Sequence, residues 1–417
     1  MGEPVLGRRL MALLDLLARY SDEPGKLTRL YLSPAHKAAV AELAGWMRTA
    51  GLAVSVDALG TLTGRYEGSR PNAPALLIGS HIDTVRDAGR YDGALGVLAG
   101  LVAVEELARR SERMPFAIEV VAFGDEEGVR FPTTLLSSRA LAGQFDPAWL
   151  DMTDGEGITL RQALIEFGCE PGHISAIARH PDRVLGYIEA HIEQGPTLEQ
   201  AGAPVGAVTA IAGVKRLSVN VRGEAGHAGT VPMHLRRDAL TAASEMILAI
   251  ERGARAAGNV VATVGRADIM PGAPNVIPGK VAFSIDVRAP NDADRDGALL
   301  DIMRAMEQIA DKRGVRLVSE VVHEAAAVAC SPWMTEHLMQ AIRRQDLPAP
   351  MSVSGAGHDA SVMASLCPIG MLFVRCAGGI SHSPQESVAV EDADVCMRVL
   401  LDFIRTFSAP PSAGKLD

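Results

Sequence analysis

A chain of 417 residues, 48% apolar and 22% charged, is long enough for two or three globular domains with a sizeable core. The net charge of −10, with no long Lys/Arg block, lacks the basic footprint of a nucleic-acid binder. No run of about 18 apolar residues offers a transmembrane helix.

Aromatic residues are only 4%, so Leu, Val, Ile, Ala and Met must fill the core. Cys169, Cys330, Cys367, Cys376 and Cys396 are scattered and include no C-x-x-C, which argues against a disulfide framework and fits a reducing cytoplasm. The N-terminal apolar stretch carries Arg8 and Arg9 and is broken by Asp15, so it reads as an amphipathic helix. Disorder is expected only in the Pro/Ala/Ser/Gly-containing tail from Ser408.

Along the first half, apolar strands alternate with helices. Ala75–Ile78 is a short apolar run, Ala94–Arg110 has helical length and composition, and Ala117–Phe123 and Val184–Ala190 are further strands. Met371–Val374 adds a fourth strand far down the chain. Continuous apolar strands separated by helices imply an α/β sheet covered on both faces. The middle differs. Leu217–Arg222 alternates at the strand period, Met233–Arg252 is helical, and Val260–Val264 and Val281–Val287 are strands. Ala293–Arg313 is helical and Val315–Val322 is a strand. This β-α-β-β-α-β order is a compact α+β unit. It is inserted, because a strand of the first domain follows it. The expected boundaries are 1–211 with 329–417 for the first domain and 212–328 for the insert.

Metal-ligand residue types stand just past the strand ends. His81 follows the first strand in GSHIDTV, and Glu126 and Glu127 follow the second in GDEEG. His191 follows the third in HIEQGP, and His382 follows the fourth in GGISHSP. Ligands bind α/β sheets outside the carboxyl ends of strands, so these segments should converge. Asp92, in YDGALG before a helix, is either a helix N-cap or a further ligand. Three imidazoles and two carboxylates suit borderline dications such as Zn²⁺ or Mn²⁺, with Co²⁺ or Ni²⁺ admissible. Asp92 has two oxygens and could bridge two ions, while one member of the Glu126–Glu127 pair stays free to take a proton from water. Asp83, two residues past His81, can accept the second ring N–H of that histidine and fix its tautomer.

These motifs, with GEAGHAGTVPM, PNVIPG, DVRAP and SGAGHDA, resemble the M20 metallopeptidase clan, more narrowly its hydantoinase/carbamoylase branch of allantoate amidohydrolases and N-carbamoyl-L-amino acid hydrolases. The resemblance runs from about Gly7 to about Thr406. It implies a zinc-peptidase-like catalytic domain, with a mixed sheet covered by helices, plus an inserted ferredoxin-like lid through which two copies dimerise. By the resemblance, His81, Asp92 and His191 would hold one metal, and Asp92, Glu127 and His382 the other. Glu126 would be the general base. His227 would stabilise an oxyanion across the dimer, Asn275 and Arg288 would grip the substrate, and Gln194 and His358 would be polar groups of the pocket. The histidine at 191 stands where most peptidases of the clan have a carboxylate, which favours a small, carboxylate-bearing ureido or carbamoyl substrate over a peptide. Allantoate is the first expectation, an N-carbamoyl-L-amino acid the second and a peptide the third.

Overall fold

A computed structural model describes residues 5–409, so the tail beyond them lies outside the described residues. The chain divides into two compact units. One runs to Thr209 and resumes over Cys330–Ser352 and from Ala356; the other comprises Ala210–Ala329 with Val353–Gly355.

The strands in chain order are β1 Ala53–Val56, β2 Leu62–Tyr66, β3 Ala75–His81, β4 Ala117–Phe123, β5 Val184–Ile192, β6 Val205–Ile211, β7 Gly213–Arg222 and β8 Gly226–His227. They continue with β9 Val261–Thr263, β10 Ala267–Met270, β11 Val276–Ile277, β12 Lys280–Ala289, β13 Arg316–Ala325, β14 Val328–Ala329, β15 Met351–Ser354 and β16 Ile369–Val374. The large sheet has the order β1-β2-β4-β3-β5-β16-β6-β14, with β15 also on β6. Its centre, β4-β3-β5-β16, is parallel. β2 and β6 join antiparallel at its two sides, so the sheet is mixed. β3 and β4 are buried along their whole length, which is why they read as unbroken apolar runs.

The helix Ala94–Arg109 is buried on nearly every side. The amphipathic Val5–Leu17 turns Leu10, Leu13, Leu14 and Leu17 inward, and Val390–Thr406 closes the same layer with Val399, Leu400 and Phe403. No helix among the described residues is long and apolar enough to cross a membrane.

The strands extend further than their apolar runs. His81 is the last residue of β3 and pairs with Phe123, and His191 lies within β5 opposite Phe373. Both histidines are therefore in strands rather than after them, because the neighbouring strands keep offering ladder partners past the last aliphatic residue.

The second unit is an antiparallel sheet of order β10-β12-β7-β13, with β9 on β12 and a separate β8–β11 ribbon. Helices Ala239–Ala257 and Asp292–Arg313 pack on one face around Val219, Val221, Ile250, Ile285, Ile302 and Met306. The helical reading of Met233–Arg252 is corrected at its start. Met233–Leu235 is a 3₁₀ turn after Pro232, and the helix begins at Ala239, where the Asp238 carboxylate accepts the N–H groups of Leu240 and Thr241.

Candidate metal centre

Four strand ends and the loop before Ala94–Arg109 bring the candidate ligands of the first unit together. Asp92 does not cap that helix: Gly93 is the cap residue, at φ 64°, and no side chain accepts there. A Cβ on Gly93 would come within 2.5 Å of the His81 ring, so glycine is required for both its backbone and its lack of bulk. The freed Asp92 carboxylate faces two sides. Its Oδ1 lies 3.2 Å from His191 Nε2 and 3.7 Å from His81 Nε2. Its Oδ2 lies 3.2 Å from His382 Nε2, which is 3.6 Å from Glu127 Oε2. The sets His81–Asp92–His191 and Asp92–Glu127–His382 each gather ligand atoms within 4.8 Å of one another.

The far side of two rings is already committed. His81 Nδ1 lies 3.0 Å from the Asp83 carbonyl oxygen and 3.5 Å from its carboxylate, and His191 Nδ1 lies 2.9 Å from the Ile192 carbonyl oxygen. A carbonyl only accepts, so Nδ1 carries the proton and a neutral ring presents its Nε2 lone pair to Asp92. The Nε2-to-carboxylate distances sit at or beyond the roughly 3.2 Å limit of a good N–H···O bond. Two ligands each about 2.1 Å from a tetrahedral ion are about 3.4 Å apart, so the spacing suits ligands around a cation. The donor set fits dications of the borderline class.

Electrostatics agree with the geometry. Burial and the neighbouring Asp92 push Glu127 up to about 7. Glu126 is raised well above the carboxylate range by burial, with Glu127 adding to the effect. Burial opposes ionisation of Asp92, yet the facing His191, His382 and His81 rings hold it well below its usual range. His382 is raised to about 9, first by its hydrogen bond to Asp92. Beyond burial, the glutamates are raised by their neighbouring carboxylates and His382 by Asp92, both marks of a nest that favours positive charge at its centre. Glu126 Oε2 is 3.9 Å from His81 Nε2, and the N–H groups of Glu126 and Glu127 donate to the two Asp83 carboxylate oxygens, both at 3.2 Å. Asp83 thus orients a ring and the backbone of both glutamates at once.

Two pocket candidates lie against the ligand set. The Gln194 amide donates to Asp92 Oδ2 at 2.8 Å and to Ser381 Oγ at 3.1 Å. His358 is fully buried behind the His191 ring, edge-on with centroids 4.5 Å apart.

In the second unit, His227 is exposed on β8 opposite Val276. Asn275, one residue earlier, is also exposed, and its carbonyl accepts the Ala228 N–H. One ribbon therefore presents both side chains together. Arg288 is engaged within its own unit. Its Nε and Nη2 fork the Asp286 carboxylate at 2.7 and 3.0 Å, and Nη1 donates to the Gly355 carbonyl at 2.5 Å.

Residues 77–406 match peptidase family M20/M25/M40. An N-carbamoyl-L-amino acid amidohydrolase of Geobacillus stearothermophilus is 43% identical, over 95% of this chain and 97% of that protein. Allantoate deiminase of Arabidopsis thaliana is 41% identical, over 97% of this chain and 83% of that one. A crystal structure of an amidase of the hydantoinase/carbamoylase family from Burkholderia multivorans superposes with a TM-score of 0.90 at 33% identity, covering 95% of this chain and 97% of that one. The chain belongs to peptidase family M20/M25/M40, among its hydantoinase/carbamoylase amidases.

Three supports of this M20 centre escaped the residue-by-residue reading. Glu386, buried, accepts the N–H groups of Tyr91 and Asp92 at 2.8 and 3.1 Å. Ser381 lies 3.0 Å from both Asp92 Oδ2 and Glu386 Oε2. Glu189, buried within β5, accepts from Ser80 Oγ at 2.7 Å and from the Ala360 N–H at 3.0 Å. A lone acid inside an apolar strand was the available signal for Glu189; Ser381 and Glu386 flank His382 in a motif read only for its histidine.

Proposed function

We propose that this chain is a metal-dependent amidohydrolase that hydrolyses a C–N bond of a small ureido substrate, with allantoate first in line. The observation that carries the reading is the Asp92 carboxylate, one oxygen turned to His81 and His191 and the other to His382. Two divalent ions, Zn²⁺ or Mn²⁺, would be held by His81, Asp92 and His191 and by Asp92, Glu127 and His382. Bound there, they would supply Lewis acidity toward the ureido carbonyl and the attacking water.

The chain's own residues do the remaining work. Glu126 takes a proton from water as the new C–O bond forms, then gives it to the nitrogen that leaves as the C–N bond breaks. Asp83 keeps Glu126 and Glu127 in register and fixes the His81 tautomer. In a homodimer formed through the inserted unit, His227 of the partner subunit would donate to the developing oxyanion. Asn275 and Arg288 would receive the substrate carboxylate, with Arg288 sharing its fork with Asp286. The terminal carbamoyl group leaves as carbamate and breaks down to ammonia and carbon dioxide.

The second reading, an N-carbamoyl-L-amino acid as substrate, is favoured by the 43% identity to the Geobacillus relative. The experiment is metal analysis of the purified protein followed by ammonia release from allantoate and a panel of N-carbamoyl-L-amino acids. The expected result is metal-dependent release that chelators abolish, fastest with allantoate. Release from the N-carbamoyl amino acids alone would install the second reading, and cleavage of dipeptides alone would sink both.

A further inference from the structure

The loop that carries His382 rests directly on the loop that carries Gln194. A Cβ on Gly379 would lie 2.5 Å from the Gly195 carbonyl carbon and 2.7 Å from the Pro196 nitrogen, so the two backbones touch. Gln194 and His382 both hold left-handed backbones, at φ 56° and 53°. Non-glycine residues stay in that region only where surrounding contacts fix them. The fixing contacts converge on one atom, Asp92 Oδ2. Gln194 Nε2 approaches it at 2.8 Å and Ser381 Oγ at 3.0 Å, while the same amide also donates to Ser381 at 3.1 Å. Both amide hydrogens of Gln194 therefore have partners inside the centre. Glu386 completes the clamp from behind, through Ser381 and through the N–H groups of Tyr91 and Asp92.

The two sides of Asp92 are unequally built. Oδ1 faces histidines set in β3 and β5, both buried. Oδ2 faces His382, whose side chain is 52% exposed on a loop. An exposed ligand on a loop needs outside help to stay in place, and the chain supplies it through Gln194 and Ser381.

Resting on the metal-centre reading above, we propose that Gln194 is a positioning residue for the outer cation position, holding Asp92 Oδ2 and docking the His382 loop, and that it does not contact substrate. Hydrogen-bond partners behind metal ligands are typically worth about 10–100-fold in metal affinity. The effect should fall on the Asp92–Glu127–His382 position and spare the His81–Asp92–His191 position.

The test is a Mn²⁺ titration of the full-length wild type, Gln194→Met and Ser381→Ala, followed by electron paramagnetic resonance. The second ion would be read as a spin-coupled pair and the first as an isolated ion. In Gln194→Met the first binding step should match wild type and the second should weaken about 10–100-fold. Ser381→Ala should move the same way by less, and it decides the matter if Gln194→Met folds poorly. Turnover of Gln194→Met should fall at limiting Mn²⁺ and recover with excess, at unchanged KM. Wild-type metal affinities with a raised KM would assign Gln194 to the substrate and overturn the proposal. Equal weakening of both steps would reduce Gln194 to a general structural role and also overturn it. A wild type that binds no Mn²⁺ at all would instead remove the metal-centre reading on which it rests.

Discussion

The two units handle their functional candidates in opposite ways. The first buries most of its set at the ends of parallel strands and gives several of its members fixed partners: Asp83 behind His81, Glu386 behind Asp92, Ser80 and the Ala360 N–H on Glu189. The second leaves His227 and Asn275 exposed on a short ribbon and ties Arg288 to Asp286. Burial with every partner supplied is what a preorganised catalytic centre requires, since a charged group moved by even an ångström loses much of its effect. Exposed groups on a two-stranded ribbon suit binding that is completed by something arriving from outside. The difference teaches where the chemistry and where the recognition should be sought.

The largest expected effect sharpens the first half of that contrast. Glu126→Gln should lower turnover by about 10²–10⁴-fold while leaving metal content and thermal midpoint close to wild type, because it removes a proton acceptor from a scaffold that Asp83 holds by backbone. Near-wild-type turnover would take the base assignment away from Glu126.

The second half is tested by His227→Ala, expected to cost about 10²–10³-fold in turnover with metal content unchanged. Mixing it with inactive Glu126→Gln should restore activity in hybrid dimers, since one composite centre then holds both intact residues. If subunit exchange is demonstrated and activity stays absent, the trans role falls.

The smallest effect probes how dry the first unit is. His36 is buried, accepts the Leu32 N–H on Nδ1 at 3.0 Å, and is lowered from 6.5 to about 4, chiefly by burial. The unfolded chain takes up this proton near 6.5 and the folded chain refuses it until about 4, so the unfolded state binds more protons in that window. Stability should therefore fall as pH drops from 6.5 toward 4 and level off below, by about 3 kcal/mol in all from this group. His36→Asn, which keeps an acceptor but does not titrate, should flatten that part of the curve in urea melts from pH 7 to 4.5. A variant curve parallel to wild type would assign the slope to other groups.

Much of this was legible in the sequence because complete burial writes itself as an apolar run. β4 was read to the residue at Ala117–Phe123, and the following centre was legible through glycine-rich segments past such runs. What escaped did so for physical reasons. β1 is largely exposed, so it has no apolar face to betray it. The ladders of β3 and β5 run on through His81 and His191, where pairing rather than hydrophobicity decides the strand. The ion-pair partner of Arg288, Asp286, is a same-face neighbour two residues away, which charge alone does not single out. Ser381 and Glu386 matter only through Asp92, far away in sequence.

The order β5-β16-β6 has a consequence for how the chain comes into being. β6 follows β5 directly in sequence, yet β16 lies between them, parallel to one and antiparallel to the other. A chain emerging from the ribosome therefore makes both walls of this slot, then the whole second unit, before the strand that fills it exists. Until β16 arrives, β5 and β6 each present a bare edge, and such edges are where emerging chains pair wrongly. His382 comes later still. His81, Asp92 and His191 all precede β16 in the chain, but His382 and the Glu386 carboxylate that holds the Asp92 backbone both follow it, so the cluster cannot be completed until the last strand is threaded home.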